Sequence, residues 1–391
     1  MKKILIFSLA YYPRVSGAEL AVKEITDRVS PHDVEFHMVT MRFSSASAQE
    51  EQIDHVYVHR VGSGDSYLSK ILFIPRAVLR ARQLDRVEHF DAFWALMSYM
   101  VFPIMLLRIF GVRKPYILTL QDGDPFEHVF ARPHIRPFAF LLKKGFKDAT
   151  VAQVISTYLG GWMQKLGYRG PIEVVPNGVD VSLFAKVPAP EEVTALQQKL
   201  GKKAGEVWLV HTGRLVQKNS MDTVIQALAQ LPSHIHLLLI GNGVEAQNLK
   251  NLASSLGVSP RVHFIGTIDN QKLPLYLRAC DIFVRPSRTE GMGTSFIEAF
   301  AAGIPVIATQ EGGIADFLFD SERNPDTPTT GFAVDVDAPD QIANVVETIL
   351  RDPTAVEAIT KNAQELVTKK YDWDLVTEQM KEQVFARVLT I

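Results

Sequence analysis

The chain of 391 residues is 47% hydrophobic and 21% charged, with a formal net charge of -2. A single hydrophobic core stops growing near about 250–300 residues, so this length predicts two domains. The balanced, apolar-rich composition excludes a disordered chain and a protein that coats nucleic acid through its net charge.

The amino terminus and the cysteine content bear on the compartment. Residues 1–10 place two lysines before an apolar run, as a signal peptide does, but the run is short and Tyr11, Tyr12 and Pro13 follow it. We therefore predict a buried first strand. Cys280 is the only cysteine, which excludes an intrachain disulfide and a zinc cluster built on cysteines. A single cysteine suits a reducing compartment, so we expect a cytoplasmic protein. No segment has the roughly 18–20 uncharged apolar residues of a membrane span.

Short β-branched and apolar runs alternate with helix-length segments in the first half of the chain. The predicted strands are residues 4–9, 34–40, 56–60, 92–96, 116–120, 151–155 and 172–175. This alternation predicts a parallel sheet with helices on both faces.

A second series of the same kind follows. Its predicted strands are residues 206–211, 235–240, 262–265, 282–285, 306–308 and 332–334. The turn-forming pair Asn177-Gly178 and two prolines at positions 188 and 190 interrupt the pattern between the series. We expect an α/β protein of two Rossmann-like domains, at residues 1–183 and 184–370, and a C-terminal helix at residues 371–391 in which Trp373 serves as an anchor.

Ligands of open parallel sheets bind beyond the carboxyl ends of the strands, where two glycine-containing loops lie. Gly17 opens a helix after the first strand, and the free N–H groups of a helix start favour an anion. Gly213 follows the first strand of the second series, with Arg214 and Lys218 beside it. An arginine fork and a lysine point charge can converge on one pyrophosphate. Each loop by itself is also typical of an ordinary turn or of a solvated basic loop.

Residues 281–300 contain the most specific pattern. Glu290 lies in a loop after a buried strand, and Glu298 lies eight positions later inside a helix. Gly291 and Gly293 allow the backbone to approach a ligand. The backbone amides that can hold a phosphate at this helix start are those of Gly293, Thr294 and Ser295. The two carboxylates could accept hydrogen bonds from sugar hydroxyls on either side of the phosphate. Alternatively, Glu290 interacts with the dipole at the helix start and Glu298 is an ordinary surface residue of the helix.

Glu290 and Glu298 match the E-x7-E motif of retaining GT-B glycosyltransferases, and several further segments resemble glycosyltransferase family 4. These segments are residues 281–287, 298–307, 312–313, 16–17, 176–180, 213–218 and 371–373. The resemblance covers nearly the full chain. It implies the GT-B fold: an acceptor-side domain at residues 1–183 and a donor-binding domain at residues 184–370 facing each other across a cleft, with the helix at 371–391 packing back on the first domain.

The resemblance also implies a retaining hexosyltransferase that uses a nucleoside-diphosphate sugar, such as a UDP-sugar or GDP-mannose, with neither a metal nor another cofactor. Arg214 and Lys218 would bind the donor pyrophosphate and stabilise the leaving group, Glu290 would contact the transferred sugar, and Glu298 the ribose. The implied donor-binding residues are Gly17, Gly213, Arg214, Lys218, Glu290, Gly291, Met292, Gly293, Thr294, Ser295 and Glu298. A retained configuration without a second carboxylate favours departure and attack on one face of the sugar.

The loop after residues 116–120 departs from the family. Gln121 stands where many relatives have a histidine, and a glutamine cannot take up a proton near neutral pH. Asp122 is the candidate for an acceptor-side or sugar contact. With Asp124 and His128 it could instead bind a divalent ion, although Asp-Gly-Asp-Pro is also common turn chemistry.

Two segments of the first half, residues 71–86 and 132–147, mix apolar residues with lysine and arginine. Basic amphipathic helices can dock weakly on anionic lipid at the inner face of a membrane and present a lipid-linked acceptor. The alternative is a pair of core-facing helices with a solvated basic face.

The expected partners are a nucleotide sugar and a glycan or lipid-linked acceptor, in the synthesis of a cell-surface polysaccharide or glycolipid; no nucleic acid is expected. A nucleotide-sugar 2-epimerase of the same architecture and a non-catalytic nucleotide-sugar binder remain as alternatives.

Overall fold

The computed structural model describes residues 1–130, 132 and 135–389, and the chain divides into two compact units. Unit 1 contains Met1–Gly178 and Trp373–Ile391, and unit 2 contains Val179–Asp372. Positions 133 and 134 of the predicted basic segment, and the last two residues of the predicted C-terminal helix, lie outside the described residues.

Unit 1 is built on a parallel sheet with one antiparallel edge strand. Its strands are β1 (Lys2–Phe7), β2 (Val34–Met41), β3 (Glu50–Ile53), β4 (Val56–Val61), β5 (Ala92–Leu96), β6 (Tyr116–Leu120), β7 (Val151–Val154) and β8 (Ile172–Val174). The order across the sheet is β3-β4-β2-β1-β5-β6-β7-β8. The helices between them are α1 (Gly17–Arg28), α2 (Tyr67–Glu88), α3 (Val101–Ile109), α4 (Phe126–Phe130), α5 (Ala139–Lys147) and α6 (Thr157–Lys165).

Unit 2 repeats this architecture. Its strands are β9 (Val207–Thr212), β10 (Ile235–Ile240), β11 (Val262–Gly266), β12 (Ile282–Arg285), β13 (Val306–Ala308) and β14 (Phe332–Ala333), in the order β11-β10-β9-β12-β13-β14. Its helices are α7 (Val181–Ala185), α8 (Pro190–Leu200), α9 (Met221–Gln230), α10 (Ala246–Ser255), α11 (Leu273–Ala279), α12 (Thr294–Ala302), α13 (Pro339–Arg351) and α14 (Pro353–Lys370).

Both faces of each sheet are buried, as alternating strand side chains require in a doubly wound fold. In β1, Ile4 and Ile6 join α1 and the C-terminal segment in one apolar cluster, while Leu5 and Phe7 on the opposite face are also fully buried. In unit 2, Leu209 lies in the cluster that α9, α10 and α13 cover, and Phe283 meets Phe296 of α12 edge-on, with ring centroids 5.6 Å apart. The predicted pattern of helices on both faces is therefore present in both units.

The C-terminal segment returns to unit 1. It consists of α15 (Trp373–Gln379), a stretch of π-helix (Met380–Phe385) and α16 (Ala386–Val388). Phe385 contacts Phe36 and Trp94, with ring centroids 5.8 and 5.4 Å away. The segment is therefore part of the core of unit 1.

The boundaries between the units differ from the predicted ones. The chain passes from unit 1 to unit 2 after Gly178 and not after residue 183, because α7 packs against α11 and α12 of unit 2. The chain returns to unit 1 after Asp372 and not after residue 370. The Val179 N–H donates to the Tyr371 carbonyl oxygen over 2.7 Å and so keeps Tyr371 in unit 2. Short helices and single hydrogen bonds of this kind leave no periodic pattern in the sequence.

The edge strand β3 has no counterpart among the predicted strands. It pairs antiparallel with β4, and its sequence Glu50-Glu-Gln-Ile53 is largely exposed. Because an exposed edge strand buries little surface, it lacks the apolar alternation by which strands are recognised.

Candidate active site

Arg285, the last residue of β12, is at the centre of the polar contacts in unit 2. Its side chain is 9% exposed and forms an ion pair with the carboxylate of Glu290. Its Nη2 also donates to Asn219 Oδ1 over 3.0 Å, its Nη1 to the Ser295 hydroxyl over 2.8 Å, and its Nε to the Ser287 hydroxyl over 3.2 Å. Arg285 therefore joins the loop after β9, the loop after β12 and the start of α12.

Neither Arg285 nor Asn219 was among the predicted site residues. Asn219 is buried, and its Nδ2 donates to the carbonyl oxygen of Arg214 over 2.6 Å. An arginine at the end of the apolar run Ile282-Phe-Val was a usable signal, because a charged side chain is almost never buried unless it is paired. The identity of its partners depends on which loops the sheet brings together.

Glu290 is held on several sides. Besides the ion pair with Arg285, its Oε1 accepts a hydrogen bond from the Gly291 N–H over 3.1 Å. Its carbonyl oxygen accepts one from the Gly313 N–H over 3.0 Å, and a Cβ at Gly312 would lie 2.0 Å from that same oxygen. The carboxylate thus has a fixed orientation, and the Gly312-Gly313 loop is explained by the close approach of two backbone segments.

The helix α12 begins directly after this turn. Its N-cap residue, Gly293, has a φ of +88°, and no side chain caps the helix. A Cβ at Gly293 would lie 2.5 Å from the ring of Phe296, so both conformation and space require glycine here. The first N–H groups of an α-helix have no partner within the helix, and they can bind an anion at this end. Met292 of the same turn is fully buried.

Glu298 lies within α12 and is partly buried. Burial raises the pKa of its carboxyl to about 7, although the positive charge of Arg285 acts in the opposite direction. The carboxyl of Glu298 therefore titrates near neutral pH, whereas an exposed glutamate is already ionised there.

The loop after β9 carries the two predicted phosphate ligands. Gly213 and Arg214 are exposed, and Lys218 is partly buried in the 3-10 turn Gln217–Asn219. Since Asn219 connects this loop to Arg285, the structure brings the segment of Arg214 and Lys218 together with that of Glu290.

His211 of β9 lies under this loop. It is fully buried, and both of its ring nitrogens are without a hydrogen-bond partner among the described residues. Burial and the charge of Arg285 hold its pKa well below the ordinary value. The imidazole is therefore neutral at physiological pH.

Two predicted site residues, Gly17 and Asp122, belong to unit 1. Gly17 is the first residue of α1, and a Cβ there would meet no atom within 4 Å. The protein itself therefore does not require a glycine at this position, and a requirement imposed by the donor stays a prediction.

Asp122 follows β6 and is 7% exposed. Its Oδ2 accepts hydrogen bonds from the Ser98 hydroxyl over 2.9 Å and from the Ser98 N–H over 3.4 Å. Burial raises the pKa of Asp122 to about 6, and the bonds from Ser98 oppose this rise. The neighbouring Gln121 accepts a hydrogen bond from Asn177 Nδ2 over 3.1 Å at its Oε1.

The carboxylates of the alternative metal site, Asp122 and Asp124, contact different partners, and His128 Nε2 lies 4.0 Å from Asp124 Oδ2. Asp124 pairs with Arg132 over 3.2 Å, whereas Asp122 is bonded to Ser98. Within the described part of the chain, the one group of three histidine or acidic residues close enough to share an ion is Glu35, His37 and Glu88. Two of these already hold the Lys3 ammonium, at 2.8 and 2.6 Å.

Comparisons with known proteins agree with this architecture. The family model "Glycosyltransferase Family 4" matches residues 15–183, and "Glycosyl transferases group 1" matches residues 192–366. A GDP-mannose-dependent monoacylated alpha-(1-6)-phosphatidylinositol monomannoside mannosyltransferase of Corynebacterium glutamicum is 25% identical and covers 97% of each chain.

Solved structures show the same fold. Sucrose-phosphate synthase from Thermosynechococcus elongatus superimposes with a TM-score of 0.84 at 21% identity, over 99% of this chain and 100% of that one. HepE of Anabaena, in complex with UDP-glucose, gives a TM-score of 0.79 at 22% identity and the same coverage. The two family models together span most of the sequence, and the chain belongs to the GT-B glycosyltransferases of the family 4 type.

Proposed function

We propose that this glycosyltransferase moves a hexose, with retention of anomeric configuration, from a nucleoside-diphosphate sugar to a lipid-linked or glycan acceptor. The observation that carries the proposal is the contact of Arg285 with both Asn219 and Glu290. This contact connects the loop that carries Arg214 and Lys218 to the carboxylate of Glu290. A donor with a diphosphate and a sugar requires cations for the first and a hydrogen-bond acceptor for the second.

The chemistry follows from the charges in this site. Arg214 and Lys218 would hold the diphosphate and stabilise the negative charge that develops on it as the sugar departs. Glu290, oriented by Arg285, would accept a hydrogen bond from a hydroxyl of the transferred sugar. Because two protein cations can serve the leaving group, the mechanism needs no metal.

The donor we propose is GDP-mannose. The relative from Corynebacterium glutamicum, which spans the length of this chain, is described as GDP-mannose-dependent. The HepE structure contains UDP-glucose, which makes UDP-sugars the appropriate competitors in a test.

The test is transfer of radiolabelled sugar from GDP-mannose and from UDP-glucose to phosphatidylinositol mannosides and to a bacterial lipid extract, with and without EDTA. We expect chelator-insensitive transfer from GDP-mannose, reduced about 10²-fold or more by Lys218→Ala, since removing one group that stabilises developing charge typically costs 10²–10³. Transfer that requires a divalent ion would contradict the metal-free mechanism. Epimerisation of a donor sugar in the absence of an acceptor would favour the alternative function of a nucleotide-sugar 2-epimerase, for which the relatives give no support.

We further propose weak docking of unit 1 on anionic membranes through α2. Among the described residues, no helix has the length and apolar character to cross a bilayer. However, residues 67–80 of α2 expose a row of apolar side chains: Tyr67, Leu68, Ile71, Leu72 and Leu79, each at least 39% exposed. Lys70, Arg76 and Arg80 lie in the same stretch of α2, and the helix contains no acidic residue before Asp85.

A flotation assay tests this surface. We expect the wild type to float with vesicles containing phosphatidylglycerol at low salt and not with phosphatidylcholine vesicles, because basic residues near the surface contribute about 1 kcal/mol each. Leu68→Glu should abolish flotation, whereas Val244→Glu, at an 83% exposed position of unit 2, should not. Equal flotation of both variants would contradict docking through α2.

A further inference from the structure

Arg288 lies in the loop after β12 and holds the turn that carries Lys218. Its backbone N–H donates to the Lys218 carbonyl oxygen over 2.8 Å, and its Nη1 donates to the Gln217 carbonyl oxygen over 2.6 Å. These are consecutive peptide groups of the 3-10 turn Gln217–Asn219. One arginine therefore fixes the backbone on which Lys218 is mounted.

Two carboxylates hold Arg288 from other segments. Its Nε and Nη2 contact Asp337 Oδ1 over 2.8 and 2.7 Å, and its Nη2 donates to Asp222 Oδ2 over 2.7 Å. Asp222 lies in the first turn of α9, and Asp337 follows β14. An arginine side chain has five N–H groups, and the hydrogen bonds to Asp337, Gln217 and Asp222 use three of them, one on each of its nitrogens. Arg288 is thus placed to act through the turn and not by binding a ligand itself.

Asp337 combines a left-handed backbone conformation with a second side-chain contact. Asp337 has a φ of +56°, in the left-handed region where glycine is free of strain and other residues are disfavoured. The same carboxylate oxygen that contacts Arg288 also accepts a hydrogen bond from the Thr223 hydroxyl over 3.3 Å. A strained residue persists where its surroundings over-determine it, and such residues concentrate at functional sites.

We propose that Arg288, held by Asp337 and Asp222, is a positioning residue for Lys218. It would keep the turn Gln217–Asn219 in the geometry in which Lys218 meets the diphosphate of the donor. The inference rests on the proposed function, which assigns Lys218 to that diphosphate. Preorganisation of this kind raises affinity because the chain need not be ordered when the ligand binds.

The test is a double-mutant cycle on the binding of GDP and UDP, measured by titration calorimetry well below the unfolding temperature. Arg288→Gln should weaken binding of the preferred nucleotide about tenfold in the wild-type background, and by less than about twofold in the Lys218→Ala background, because its effect passes through Lys218. An equal loss in both backgrounds would overturn the proposal.

Asp337→Gly separates positioning from stability, because it removes the carboxylate together with the backbone strain. We expect an unchanged or raised thermal midpoint with a nucleotide affinity about three- to fivefold lower. Asp337→Asn, which keeps a hydrogen-bond acceptor without the charge, should lie between Asp337→Gly and the wild type. A lowered midpoint with unchanged affinity would mean that the pair is merely structural.

Arg323→Gln is the matched control, since it removes another arginine–aspartate pair of unit 2, with Asp335 at 2.8 Å, and should leave affinity unchanged. If the wild type binds neither nucleotide, or if Lys218→Ala binds as tightly as the wild type, the proposed function fails. If Lys218→Ala loses affinity while Arg288→Gln and Asp337→Gly bind as the wild type does, only the positioning role fails.

Discussion

At the scale of single residues, Arg285 connects the segments of the candidate site. A buried guanidinium costs free energy to desolvate, and this cost is offset only when the pairing and hydrogen bonding are nearly complete. Arg285 meets that condition through Glu290 and the side chains of Asn219, Ser287 and Ser295. Removing it would leave the carboxylate of Glu290 buried without its partner.

We therefore predict that Arg285→Met destabilises unit 2 by about 3–5 kcal/mol, as measured by urea unfolding. Arg285→Lys should recover little, because a lysine cannot reproduce the planar fork. Arg285→Met combined with Glu290→Gln should recover part of the loss. Arg323→Met, at a largely exposed pair, should cost less than about 1 kcal/mol. An Arg285→Met protein as stable as the wild type would show that the buried pair contributes nothing.

The pH dependence of stability is a second prediction at this scale. The folded protein raises the pKa of Glu298 from 4.5 to about 7, mainly through burial. Between these values the folded protein retains at Glu298 a proton that the unfolded chain has released, so the contribution of Glu298 to stability falls as pH rises through this window. Asp122 acts in the same direction in unit 1, where burial raises its pKa from 3.8 to about 6.

Urea unfolding at pH 5, 6, 7 and 8 would measure this effect. We expect the free energy of unfolding of the wild type minus that of Glu298→Gln to fall by about 1–3 kcal/mol between pH 5 and 7. The difference isolates Glu298, because His211, whose lowered pKa makes stability rise with pH, is present in both proteins. Glu365→Gln, on the exposed side of α14, should leave the decline unchanged. The same pH dependence in the wild type and in Glu298→Gln would contradict the assignment to Glu298.

At the scale of elements, two helices begin at a predicted ligand-binding glycine, and the physical requirement differs between them. Gly293 before α12 has a positive φ and no room for a Cβ, whereas Gly17 at the start of α1 has open space around it. Glycine is thus required by the fold before α12, whereas at the start of α1 only a bound ligand could require it.

We predict that Gly293→Ala destabilises unit 2 by about 1–3 kcal/mol, through left-handed strain and the contact with Phe296. Gly17→Ala should change the free energy of unfolding by less than about 0.5 kcal/mol. The donor affinity of Gly17→Ala should nevertheless fall, as calorimetric titration with GDP-mannose would measure. Unchanged donor affinity in Gly17→Ala would remove Gly17 from the donor site.

At the scale of the whole molecule, the sequence order and the structural units do not coincide. The last described residues of the chain complete the core of unit 1, although the whole of unit 2 separates them from it in sequence. The core of unit 1 is therefore incomplete until the C-terminal segment is present.

Phe385→Ala tests this dependence. We expect it to destabilise unit 1 by about 3–5 kcal/mol, because the phenyl ring is fully buried against Phe36 and Trp94. Differential scanning calorimetry should show the loss in the transition of unit 1 and an unshifted transition of unit 2. Leu375→Ala, at a 43% exposed position of the same segment, should change stability by less than about 0.5 kcal/mol. Similar losses for both variants would contradict the difference in burial.

The architecture was predictable because strands, helices and turns depend on residues that are near in sequence. The runs at 92–96 and 116–120 match β5 and β6 to the residue, and the E-x7-E motif placed Glu290 and Glu298 on a turn and the helix after it. The exposed strand β3 escaped prediction because it buries too little apolar surface to impose a pattern.

The sequence by itself thus determined two parallel-sheet α/β domains, the family, and the segments that carry the candidate site. Only the tertiary structure decided that Arg285 pairs with Glu290 and reaches Asn219, that Arg288 holds the turn of Lys218, and that unit 2 begins at Val179. Asn219 and Arg285 are 66 positions apart, and they meet because β9 and β12 are neighbours in the sheet. Strand order cannot be read from a short segment of sequence, so contacts that depend on strand order are seen only in the folded structure.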